Sequence, residues 1–277
     1  MRLCEEAVLS VEELVVRYGD GCPACKEKLE KNRCSVCGTV WAARDISFAV
    51  YPGEVLGIVG ESGSGKSTLM RSLYFDFVPT SGKAYLRDYR DGKANIWEAS
   101  AAGKRMIKNS IMGMVYQNPV LGLRMDYSAA SNIAEKIIAA GSRNAGQMTE
   151  RAEELLTAVE IMTSRMGEAP RNFSGGMQQR VQISKALANN PALLLLDEVT
   201  SGLDLSVQAR VLDLIKKIRA RYGISILLVS HDLAVIRMLA DRTMVMLDGQ
   251  IVESGLTDQI LEDPQHAYTQ QLVHSML

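Results

Sequence analysis

The stretch Gly60-Glu61-Ser62-Gly63-Ser64-Gly65-Lys66-Ser67 constrains this chain more than any other. It follows Val55-Leu56-Gly57-Ile58-Val59, which reads as a short buried strand, and it leads into Ser67–Leu73, which reads as a helix. A strand, a glycine-rich loop and a helix in that order make a phosphate loop inside an α/β fold. Its glycines let backbone N–H groups turn inward around an anion, and the helix N-terminus adds positive potential. Gly60, Ser62, Gly63, Ser64, Gly65, Lys66, Ser67 and Thr68 are therefore candidate nucleotide-binding residues. Lys66 brings an ammonium to the β- and γ-phosphates, and the Ser67 hydroxyl suits Mg²⁺.

A second set of groups belongs with this loop. Leu193-Leu194-Leu195-Leu196 reads as a buried strand ending in Asp197 and Glu198. Asp197 is placed to hold Mg²⁺, and Glu198 to polarise or deprotonate an attacking water. Ile226–Val229 is a third apolar strand, ending in Ser230-His231-Asp232, and Gln117 closes another apolar segment. Further on, Phe173-Ser174-Gly175-Gly176-Met177-Gln178 opens a helix expected over 177–187. Ser174 reads as its N-cap, so free N–H groups at its start attract an anion. That second anion site has no phosphate-loop lysine of its own.

Composition sets the frame. The chain has 277 residues, 47% of them hydrophobic, enough for a sizeable core. A net charge of −1 gives no electrostatic case for nucleic acid as the partner. No apolar run approaches the ~18–20 residues that cross a bilayer. Glu5 and Glu6 stand where a signal peptide would be basic. A soluble, cytoplasmic protein is expected.

Taken together, these motifs resemble the ATP-binding-cassette (ABC) ATPase family. Gly60 to Ser67 matches its Walker A loop, Leu193 to Asp197 its Walker B strand, and Ser174 to Gln178 its signature sequence. The resemblance implies catalytic roles for Glu198, Gln117 (the glutamine loop, also a Mg²⁺ ligand with Ser67 and Asp197) and His231 (the switch histidine). It implies that Ser201-Gly202-Leu203-Asp204 crosses a dimer interface. It implies a RecA-like core with an antiparallel β subdomain and a helical lobe. Two copies then associate head to tail, and Ser174, Gly175, Gly176, Gln178 and Asp204 of one close on a nucleotide held by the other. An aromatic on the first β hairpin stacks on adenine in the family; Tyr18 is the first candidate and Trp41 the second. One departure is Val199, where the family usually has proline after the catalytic glutamate.

Within the family, the segment after Gln117 discriminates. Val120-Leu121-Gly122-Leu123-Arg124, Ala130-Ser131-Asn132-Ile133 and Ala140-Gly141-Ser142-Arg143 resemble the ATP-binding subunits of carbon–phosphorus lyase systems, as does Val252–Asp258. This implies phosphonate catabolism and soluble lyase core subunits as partners. The alternative is the ATPase of a peptide-type importer, partnered by membrane permeases. Asp263–Thr269 is shared with that branch, whose members usually run on past the position of Leu277.

Four cysteines stand apart from all this: Cys22-Pro23-Ala24-Cys25 and Cys34-Ser35-Val36-Cys37. Two Cys-x-x-Cys turns suit a structural Zn²⁺; an iron–sulfur cluster is the alternative. The residues between them are too charged to make a core, so a metal would be their staple. Cys4 is spare. The insert, about 19–40, should sit on the hairpin joining Leu14–Tyr18 to Ile46–Val50, two neighbouring antiparallel strands. The expected organisation is one domain over 1–277, with a helical lobe at about 118–175. In that lobe Ala152, Leu155, Leu156 and Val159 have helical apolar spacing, and in the core Val211, Leu214, Ile215 and Ile218 do.

Overall fold

A computed structural model describes residues 7–275; Cys4, Glu5, Glu6 and Leu277 lie outside the described residues. In chain order the strands are β1 (Leu9–Tyr18), β2 (Leu29–Glu30), β3 (Arg33–Cys34), β4 (Val40–Val50), β5 (Val55–Val59), β6 (Ser81–Leu86), β7 (Met112–Val115), β8 (Leu193–Asp197), β9 (Ser225–Val229), β10 (Arg242–Leu247) and β11 (Gln250–Leu256). The chain divides into two compact units. One runs to Ser100 and resumes at Leu227; the other is Ala101–Ile226.

In the first unit, β2-β3-β4-β1-β6 form an antiparallel sheet. The first hairpin is the one expected: β1 pairs with β4, with Tyr18 opposite Val40, and the cysteine insert lies between them. In β1 the inward residues Leu9, Val11, Leu14 and Val16 are buried, yet the alternation slips between Val11 and Leu14. Glu13 adopts a positive φ of 50° there, the mark of a bulge that resets which face points inward. By contrast, β5 is buried along its whole length and pairs in parallel with β10, as expected for a strand covered on both faces. Antiparallel β11 lies on the other side of β10. Helix Lys66–Leu73 follows β5, and buries Leu69, Met70 and Leu73.

In the second unit, β7 and β8 pair in parallel. Helix Ala145–Ala158 buries Ala152, Leu155 and Leu156, and Val159 follows it buried. Helix Leu205–Tyr222 buries Val211, Leu214, Ile215 and Ile218, the stripe read from the sequence. It begins at an Asp204 cap and ends at Gly223 in the left-handed conformation, a helix stop that favours glycine. Among the described residues, no helix is long and apolar enough to cross a membrane.

Candidate functional site

The phosphate loop is built as its sequence requires. Gly60, Gly63 and Gly65 all have positive φ, at 150°, 84° and 104°. At two of them a side chain has no room: a Cβ on Gly60 would strike the Met246 carbonyl, and one on Gly65 the Ala42 carbonyl. The loop is therefore pressed between the start of β4 and the end of β10. Lys66 is 4% exposed. Its ammonium donates to the Gly60 carbonyl at 2.7 Å, the Glu61 carbonyl at 2.8 Å and Ser64 Oγ at 3.3 Å. These bonds satisfy a buried charge and hold it inside the loop. Ser62 and Gly63 are exposed; Ser67 and Thr68, in the first turn of the following helix, are half-buried.

Of the two aromatic candidates, Tyr18 is the one beside this helix. Its hydroxyl lies 3.0 Å from Thr68 Oγ1, and its ring meets Phe77 edge to face at 5.9 Å. The ring remains 43% exposed, so a face is available for stacking. Trp41 instead lies under the Arg17 guanidinium at 5.9 Å. His231 is exposed beyond β9, where the Ser230 amide donates to the Ile58 carbonyl of β5. Asp232 caps the next helix through the Ala234 amide.

Within the second unit, Asp197 ends β8 and is 2% exposed. Glu198 takes a positive φ of 47°, a strained conformation for a residue with a side chain. Gln117 Nε2 donates to Glu198 Oε2 at 2.9 Å and to Ser201 Oγ at 3.3 Å. The structure thus joins two residues that lie far apart in sequence. Val199, at the departure from the family pattern, is 2% exposed, so an apolar side chain here fills core space.

Helix Gly175–Leu187 starts two residues before the expected Met177, directly after the expected Ser174 cap, with Ser174 Oγ accepting from the Met177 amide at 3.4 Å. Ser174 and Gly175 are exposed, whereas Gly176 is buried against Val207, which leaves no space for a Cβ. Gln178 faces its own loop: its amide donates to the Pro170 and Phe173 carbonyls at 3.0 and 3.1 Å. Asp204 caps helix Leu205–Tyr222 by accepting from Val207 N and Ser206 Oγ, and the Ser206 bond holds its carboxyl below the usual range.

Sequence reasoning missed two supports. Gln182, 1% exposed, accepts from the Tyr116 amide at 2.6 Å and donates to the Tyr116 carbonyl at 3.1 Å, so it pairs with backbone as a strand would. It fixes the residue before Gln117, and the only sequence signal was a glutamine on the apolar side of a helix. Tyr268 is the other: its hydroxyl accepts from the Glu61 amide of the phosphate loop at 2.8 Å.

The four cysteines converge. Their Sγ atoms all lie within 4.8 Å of one another. Cys22 is 3.8 Å from both Cys25 and Cys34, and Cys25 is 3.4 Å from Cys37. A tetrahedron with metal–sulfur arms of about 2.3 Å has edges of about 3.8 Å, so the spacing suits one ion. The Cys22 amide donates to Cys25 Sγ at 3.1 Å, as in a tight metal-binding turn. Desolvation and the neighbouring thiols push Cys22 up to about 12, while the Thr39 hydroxyl draws Cys37 down to about 6. The insert also touches the phosphate loop, through Asn32 Nδ2 and the Gly63 carbonyl at 3.5 Å.

Comparison with known proteins agrees with this geometry. The family model described as "ABC transporter" matches residues 43–201, more than half of the chain. Over 233 residues the chain is 46% identical to the "Putative phosphonates utilization ATP-binding protein PhnK" of Escherichia coli, covering 84% of this chain and 90% of that protein. It is 35% identical to the oligopeptide transport ATP-binding protein OppF of Bacillus subtilis, covering 86% and 77%. Among solved structures, the ATP-binding cassette MJ0796, a dimer in a post-hydrolysis state with ADP and Pi, matches with a TM-score of 0.75 at 26% identity, over 90% of this chain and 98% of that one. With its motifs in family order, a matching family model and these relatives, the chain belongs to the ABC transporter family as one of its ATP-binding, ATP-hydrolysing proteins.

Proposed function

We propose that this protein is the ATPase subunit of a carbon–phosphorus lyase complex in phosphonate catabolism, working in the cytoplasm as a nucleotide-sandwich dimer. The observation that carries the reading is the 46% identity to a phosphonate-utilisation protein over 90% of its length. The residues after Gln117 support it. On this reading the chain is one ABC domain, with a helical lobe over 118–175 and a metal insert over 19–40.

The loop amides of Gly60 to Ser67 and the Lys66 ammonium hold the β- and γ-phosphates, Thr68 supports that end, and Tyr18 stacks on adenine. Ser67, Gln117 and Asp197 offer hydroxyl, amide and carboxylate oxygens, a donor set that suits a hard cation such as Mg²⁺. When bound, Mg²⁺ neutralises charge on the phosphates. Glu198 takes the proton of the attacking water. The Gln117 bond orients its carboxylate until then, and His231 steadies the γ-phosphate. Ser174, Gly175, Gly176 and Gln178 serve the nucleotide of a second copy, with Asp204 at the interface. ATP then closes the dimer and hydrolysis releases it, and the motion passes to the lyase core subunits. Cys22, Cys25, Cys34 and Cys37 hold one structural Zn²⁺; the short sulfur–sulfur distances favour one ion over a multi-iron cluster.

The second reading, an importer ATPase serving membrane permeases, is favoured by the 35% identity to OppF. Co-purification separates the two. The tagged protein should bring down soluble lyase core subunits when cells grow on a phosphonate. Recovery of membrane permeases alone would overturn the lyase assignment.

A further inference from the structure

We infer that Tyr268 is a positioning residue of the nucleotide site, holding Lys66 in place through a single peptide unit of the phosphate loop. The inference rests on the reading of that loop as the ATP phosphate site.

The Gly60 carbonyl and the Glu61 N–H belong to one peptide unit, and both of its poles are bound. Its N–H donates to Tyr268 Oη at 2.8 Å, and its carbonyl accepts from Lys66 Nζ at 2.7 Å. The next carbonyl, that of Glu61, accepts from the same ammonium at 2.8 Å. Gly60 has φ of 150° and no side chain, so the steric barrier to rotation of this peptide is low and its two hydrogen bonds hold it. A flip would turn the Gly60 carbonyl away from Lys66 and release the ammonium from its position. The Tyr268 hydroxyl resists that flip from outside the loop.

Tyr268 is itself well held. It lies in the first turn of helix Ala267–His274, with its amide donating to His266 Nδ1 at 3.2 Å. The Gln265 and His266 amides donate to the Glu253 carboxylate on β11 at 2.8 and 3.0 Å. A chain of bonds therefore runs from β11 through this C-terminal helix to the lysine. Tyr268 does not touch the reacting atoms; it acts through Glu61.

Tyr268→Phe removes only the hydroxyl and keeps the ring. It should raise KM for MgATP about fivefold, the value of one hydrogen bond. It should leave kcat within twofold and the Tm of the nucleotide-free protein within a few degrees. The Glu61 amide resonance should move in the ¹⁵N–¹H spectrum. Val273→Ala, further along the same helix and buried, serves as the control for a merely structural effect and should leave KM and the Glu61 resonance unchanged. An unchanged KM in Tyr268→Phe, or an equal rise in Val273→Ala, would overturn the inference. Lys66→Ala tests the underlying reading separately, because it must abolish MgATP binding whatever Tyr268 does.

Discussion

On the proposed reading of the four cysteines as a zinc site, removing the metal should melt the insert and leave the rest of the fold standing. Cys22–Cys37 spans sixteen residues, of which Cys25 and Cys34 are buried and almost all the rest are not. Ordering that backbone costs more than about 10 kcal/mol, at roughly 1–2 per residue. Backbone hydrogen bonds, among them Cys34 N to the Thr39 carbonyl and Trp41 N to the Asn32 carbonyl, are worth only about 1 kcal/mol each. A structural zinc site would contribute roughly 10–16 kcal/mol, the same order as the ordering cost. In Cys25→Ser/Cys34→Ser, therefore, amides 22–39 should exchange with deuterium at the rate of an open chain, while β1 and β4 stay protected. Their ladder from Leu9–Val50 to Tyr18–Val40 runs outside the insert. Losing the Asn32–Gly63 bond should weaken ATP binding by no more than about fivefold. Hydrogen-exchange mass spectrometry reads the first effect, and metal analysis should find one zinc per chain in the parent and none in the variant. Unchanged protection of the insert without metal would refute the reasoning.

Other expectations are more local. Glu198→Gln should retain ATP binding, cut turnover at least a hundredfold and trap an ATP-dependent dimer on a sizing column; normal turnover would remove Glu198 from the chemistry. Gln182→Leu removes both of its bonds to the Tyr116 backbone and leaves the carbonyl with the longer bond from Gln179 at 3.4 Å, so urea unfolding should show a loss of about 1–3 kcal/mol, and a neutral result would contradict the pairing drawn from its two bonds. Glu154 is held below its ordinary value of 4.5 by the hydrogen bond from Arg151, against partial desolvation. A depressed folded pKa contributes stability above the unfolded value, lost as pH falls through the folded one. Tm measured against pH should show Glu154→Gln less stable than the parent near neutrality, with the gap shrinking below about 4.5.

What the sequence disclosed here followed physical type. Phosphate binding needs glycine where a side chain cannot fit, and Gly60 and Gly65 advertise that need because the Met246 and Ala42 carbonyls leave no room for a Cβ. Amphipathic helices announce themselves by spacing, so the stripe Val211, Leu214, Ile215, Ile218 could be read without coordinates. The four-cysteine cluster is legible because four thiols within sixteen residues have few uses other than metal binding in a segment this short of local core. The supports escaped notice for the opposite reason. Tyr268 acts on Glu61 across more than two hundred residues, and Gln182 acts on Tyr116 from another element. Neither partner carries a composition that betrays the pairing: each bond ends on a backbone group, which every residue possesses. Sequence thus named the groups proposed to meet the nucleotide, and left unnamed those that hold these groups still. Tyr268 and the Asn32 end of the insert both approach the same phosphate loop, so a double variant tests whether they brace it independently. Effects on MgATP affinity that multiply would mean two separate braces. A combined effect no larger than either alone would mean that one loop conformation depends on both.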